Sequence, residues 1–102
     1  IMAVKTHYDD KNNRFIVSID GKFDFHVLKD FRQAYDNQQA KEGKVEIDLR
    51  STENIDSSAL GMLLYMQNYL NKQDGEIVIS NCNNYVNKIL TIARFDKKFD
   101  IR

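Results

Sequence analysis

No proline interrupts this chain, and its only thiol is Cys82. A lone cysteine excludes an intramolecular disulfide and a cysteine-based zinc cluster, and it suits a reducing interior, so a cytoplasmic protein is expected. With proline missing, punctuation falls to Gly21, Gly43, Gly61 and Gly75, three of which lie between periodic segments. There is no excess of charge either, because 15 Lys and Arg meet 15 Asp and Glu. Zero net charge removes the bulk electrostatic case for nucleic acid or an anionic membrane, so neither is expected as a direct partner. No apolar run approaches the ~20 residues of a membrane span, and Ile1 to Lys5 has no basic stretch leading into an apolar one, so neither insertion nor export is expected. Ile1 ahead of Met2 reads as a cloning remnant and is set aside.

What is present fits one small domain. A chain of 102 residues buries about two-thirds of its unfolded surface, enough for one core and too little for two. The 42% hydrophobic and 11% aromatic residues argue for packing, and the 29% charged residues for a well-solvated surface. Residues 3–8 and 14–20 read as strands joined by the polar turn Asp9 to Asn13, a hairpin in which Phe15, Val17 and Ile19 share a face. Val27, Leu28, Phe31, Ala34 and Tyr35 recur at helical spacing, in a helix ending before Gly43. The polar runs 9–13 and 36–44 read as ordinary loops. Val45, Ile47 and Leu49 alternate with Glu46, Asp48 and Arg50 as a third strand, and a second helix runs from about Ser57 to Lys72. Ile77 to Ile79 is a short apolar strand. Val86, Ile89, Leu90 and Ala93 mark a third helical face, and Phe95 to Ile101 reads as a last strand. Strands alternating with helices predict a mixed, partly parallel sheet with about three main helices packed on it, an α/β sandwich.

The most informative stretch is Asp56-Ser57-Ser58-Ala59-Leu60-Gly61, between the third strand and the apolar run Met62 to Leu70. It places a hydroxyl where a helix begins. A helix start leaves backbone N–H groups without partners and carries partial positive charge, which suits an Asp or Ser cap and equally a phosphate on serine. Gly61 reads as a packing position that lets the helix approach a neighbour. Along the helix, Leu60, Leu63, Leu64 and Leu70 are expected to form the core stripe. Met62, Tyr65, Met66 and Tyr69 are left for the other side, where methionines and aromatics suit a partner.

The chain as a whole resembles the anti-sigma factor antagonists, bacterial members of the STAS domain group. The resemblance rests on an ordered set of pieces. They are Gly21-Lys22-Phe23-Asp24, the strand Val45 to Leu49, Asp56 to Gly61, the Gly75 turn, and Ala93-Arg94-Phe95-Asp96-Lys97-Lys98-Phe99. It implies a single STAS domain over 3–102 and a partner-switching cycle in transcription regulation. The unphosphorylated protein binds an anti-sigma factor, which frees the sigma factor. A serine kinase phosphorylates Ser57, and a serine phosphatase reverses the modification. ATP belongs to the kinase, and no cofactor is implied for this chain. Many members carry Gly where Ala59 stands, a change that stiffens the helix start by roughly 1 kcal/mol.

On this reading Asp24, Asp56, Ser58, Ala59 and Gly61 form the switch surface around Ser57, with Asp24 approaching from the end of the second strand. A phosphoryl group adds ~1.5 to 2 negative charges, and a loss of ~3 kcal/mol weakens binding roughly a hundredfold. The alternative is a STAS scaffold or subunit of a larger assembly, stressosome-like or transporter-associated, in which Ser57 only caps. No enzyme is expected, since Ser57 has neither an orienting acid nor a nucleophile elbow around it. His7 and His26 lack ligand-spaced partners, so no metal site is expected. Arg94, Lys97 and Lys98 read as a solvated end.

Overall fold

The computed structural model describes residues 2–102; Ile1, read above as a remnant, lies outside the described residues. Two strands, β1 (Val4–Asp9) and β2 (Arg14–Ile19), form the expected antiparallel hairpin, pairing Val4 with Ile19 and Tyr8 with Phe15. Alternation along β2 sends Phe15, Val17 and Ile19 into the core. Gly21, with φ of +89°, then turns the chain out of the main sheet, a conformation glycine adopts without strain.

After that turn come a short strand β3 (Gly21–Phe23), a 3₁₀ turn (Phe25–Val27), helix α1 (Leu28–Tyr35) and a one-turn helix α2 (Gln38–Glu42). One unbroken helix up to Gly43 does not form. The Asn37 side chain accepts the Ala40 N–H at 2.9 Å and donates to the Ala34 carbonyl at 3.0 Å, ending one helix and starting the next. The stretch 36–44 is therefore partly helical rather than a loop, with Ala40 fully buried.

Strand β4 (Lys44–Asp48) leads to β5 (Thr52–Ile55), helix α3 (Ser57–Tyr69), β6 (Ile77–Ser80), helix α4 (Asn84–Ile92), a second 3₁₀ turn (Phe95–Lys97) and β7 (Asp100–Ile101). The main sheet has the order β1-β2-β4-β6-β7, parallel from β2 onward, and β3 and β5 form a separate parallel pair. Phe95 to Ile101 is thus a turn of 3₁₀ helix followed by two residues of strand, not a strand throughout. Phe95 and Phe99 stack at 5.5 Å and both are buried.

Val45, Ile47, Ile77 and Ile79 line the same core face as the β2 residues and are inaccessible. On the opposite face of β2 and β4, Arg14, Ile16, Ser18, Glu46 and Asp48 are only half-buried. Glu46 there meets Arg14 at 3.4 Å and the Ser80 hydroxyl at 2.6 Å. Along β2 and β4 one face is apolar and covered while the other is mostly polar and part-exposed, although Val78 and Ser80 of β6 on that second face are buried.

Candidate functional site

The start of α3 is organised by Asp56. Its carboxylate accepts the Ala59 N–H at 3.0 Å and the Ser58 hydroxyl at 2.6 Å, a side-chain cap reinforced by a second donor. The Ser58 hydroxyl and then the Ala59 N–H hold the Asp56 carboxyl below its ordinary pKa, because both bond the charged form. Ser58 is half-buried and committed to this cap, whereas Ser57 is exposed and its hydroxyl makes no hydrogen bond among the described residues. The two serines expected to share one surface therefore differ: one holds the helix end and the other faces outward. Ala59 belongs to the site only through its backbone, since its methyl group is fully buried.

Asp24 reaches this end of the molecule through strand pairing. Phe23 of β3 is in register with Ile55 of β5, so Asp24 and Asp56 follow at the same end of that parallel pair. The approach comes from β3, one element later than the strand named from sequence. Asp24 caps the 3₁₀ turn, accepting the His26 N–H at 2.9 Å, and lies 3.2 Å from His26 Nδ1. Gly61 is exposed, and a Cβ built there would meet nothing within 4 Å, so it does not serve the helix contact expected of it. It stands one turn beyond Ser57 on the same outward side, leaving the surface beside the hydroxyl flat.

The expected division of α3 into faces is wrong by part of a turn. Met62 and Met66 are buried with Leu63 and Leu70, and thus lie in the core instead of facing a partner, while Leu64 is 40% exposed and Leu60 half-buried. Tyr65 and Tyr69 do face outward, at 45% and 41% exposure, and stack on each other at 6.2 Å. The outward stripe is Ser57, Gly61, Leu64, Tyr65, Asn68 and Tyr69.

Residues of the α1–α2 region that sequence reasoning did not single out complete this surface. The Arg32 guanidinium lies 4.2 Å above the Tyr65 ring, and the Tyr69 hydroxyl donates to Asp36 at 2.6 Å. The helical face carrying Phe31 and Tyr35 was legible, but Asp36 opens a run that reads as a loop, and the docking of α1 against α3 was not legible. His7, His26, Arg94, Lys97 and Lys98 are all exposed. Among the described residues no group of three or more His, Cys, Asp or Glu side chains is placed to hold a metal, and no helix is long and apolar enough to cross a membrane.

Comparison with known proteins agrees with this fold. Residues 3–102 match the family model described as the STAS domain. A STAS-domain containing protein of Pseudomonas aeruginosa is 35% identical over 100 residues, covering 98% of this chain and 99% of that protein. Among solved structures, a candidate anti-sigma factor antagonist from Thermotoga maritima superposes with a TM-score of 0.77 at 16% identity, covering 96% of this chain and 84% of that one. A sulfate transporter family protein from Wolinella succinogenes superposes with a TM-score of 0.67 at 18% identity, covering 87% of this chain and 78% of that one.

Proposed function

The chain belongs to the STAS domain family, and from that premise we propose that it is an anti-sigma factor antagonist whose binding is switched off by phosphorylation of Ser57. The observation that carries this reading is the division of labour at the start of α3. Asp56 and Ser58 complete the cap between them, so Ser57 is free of structural duty and open to solvent. A kinase acting on Ser57 leaves the cap intact. The phosphoryl group adds ~1.5 to 2 negative charges beside Asp56 and Asp24, at a helix end whose dipole accommodates them. Folding is kept, and the changed charge falls on the contact surface. Repulsion of ~3 kcal/mol lowers affinity roughly a hundredfold, enough to exchange one partner for another. The protein acts as a cytoplasmic binding module, with a serine kinase and a serine phosphatase setting its state.

A second reading, a STAS subunit of a larger assembly, draws on the likeness of fold to the sulfate transporter family protein. One experiment separates the two. Tagged wild type, Ser57→Ala and Ser57→Asp are used as bait in lysate of the native host, and the bound proteins are identified. An anti-sigma factor retained by wild type and Ser57→Ala but lost by Ser57→Asp is the expected result. Retention of one set of proteins by all three would give the assembly reading the lead.

A further inference from the structure

The α1–α3 junction holds a small open cleft of about 170 Å³ lined by Arg32, Tyr35, Asp36, Tyr65 and Tyr69. Tyr35 is 1% exposed, and its hydroxyl is buried without a hydrogen-bond partner among the described residues. A buried donor left unmet is costly, and an acceptor entering the cleft would relieve that cost. Burial pushes the Tyr35 hydroxyl up to about 12, with Arg32 the next influence and opposing it, followed by Tyr65, Tyr69 and Asp36. Tyr35 lines the cleft together with Arg32, Asp36, Tyr65 and Tyr69, and its hydroxyl, pushed up by burial, stays a donor at neutral pH. Arg32 is exposed and forms no ion pair or side-chain hydrogen bond among the described residues; its only polar engagement is with the Tyr65 ring. The one acid at the rim, Asp36, is already met by the Tyr69 hydroxyl at 2.6 Å and by Lys41 Nζ at 3.9 Å.

We propose that this cleft is an anchor site for an acidic side chain of a protein partner, its carboxylate taken by Arg32 and the Tyr35 hydroxyl and its stem laid along the exposed side of the Tyr65–Tyr69 stack. A buried unpartnered hydroxyl next to a guanidinium that forms no ion pair among the described residues calls for an anionic acceptor. The volume is below the roughly 300–1,000 Å³ of small-molecule sites but admits a single side-chain head. Exposed Leu64, Tyr65 and Tyr69 beside it supply the apolar rim usual at a protein contact. The inference deepens the proposed function and rests on it only in taking the occupant to be a protein, since the cleft is independent of the Ser57 hydroxyl.

The test uses a random 12-residue peptide library displayed on phage and panned against the immobilised full chain. The expected result is enrichment of Asp- or Glu-containing peptides that shift the backbone amides of Arg32, Tyr35 and Asp36 in NMR spectra. Synthetic versions should bind Arg32→Gln about tenfold more weakly or worse, bind Tyr35→Phe several-fold more weakly, and bind Ser57→Asp as they bind wild type. Arg32 is exposed and Tyr35→Phe removes only an unpartnered hydroxyl, so both variants should fold. Peptides without acidic residues, or equal affinity for Arg32→Gln, would overturn the proposal. So would peptides lost on Ser57→Asp but held by Arg32→Gln, which place the anionic contact at the helix start instead.

Discussion

Of the Asp and Ser residues that could cap α3, the structure gives the role to the Asp56 carboxylate. By accepting from both Ser58 and Ala59 it relieves the neighbouring serine of any part in the cap, and its removal should be felt in the helix. Asp56→Ala should cost about 1 kcal/mol, read from the denaturant midpoint. The acid limb carries a sign. A carboxyl held below its ordinary pKa contributes stability that is fully present above the unfolded value of about 3.9 and is lost as pH falls through the folded value. Asp9 is lowered in the same direction by its bond from the Asn12 side chain, so the difference between wild type and Asp56→Asn isolates the α3 contribution. That difference should be flat near neutrality and shrink below pH 4. Gly61 supplies the opposite case. With open space where its Cβ would lie, Gly61→Ala should stabilise the domain by up to about 1 kcal/mol, and a lower melting temperature would show that the space is not free.

At the scale of elements, α3 shows why its existence was legible and its orientation was not. Leu60, Met62, Leu63, Leu64, Tyr65, Met66, Tyr69 and Leu70 put apolar side chains nearly all round the helix, so periodicity names a helix without saying which side is inside. Docking against α1 and β5 decides it, by burying Met62 and Met66 and leaving Leu64 at the surface. Met66→Ala should therefore cost about 2–5 kcal/mol and Leu64→Ala less than about 1 kcal/mol, compared by urea unfolding. The C-terminal segment failed for a related reason. Phe95 and Phe99 are four residues apart, a spacing that serves a helical turn and a strand equally, and only their stacking settles the matter. The hairpin, β4 and β6 were readable because alternating or β-branched runs admit a single interpretation.

For the molecule as a whole, the mixed sheet and its covered face followed from alternating strands and helices, and the cap residues from their position before α3. The pair β3–β5 did not, since strands of three and four residues with a register shift between Gly21 and Lys22 leave no period to detect. Missing that pair also placed Asp24 on the wrong strand. Because the phosphate-mimicking carboxylate of Ser57→Asp would lie outside the cap and outside the core, this variant should keep the circular dichroism spectrum and melting cooperativity of wild type. A molten Ser57→Asp protein would remove the charge-repulsion mechanism. The pairing has one further outcome. Asp24 and Asp56 are distant in the chain and come to the same end of one strand pair only when β3 zips onto β5, so neither a nascent chain nor an unfolded one brings them to one end of the molecule. Under the proposed function, a kinase that needed both acids near Ser57 would read conformation as well as sequence, and would leave unfolded chains unmodified.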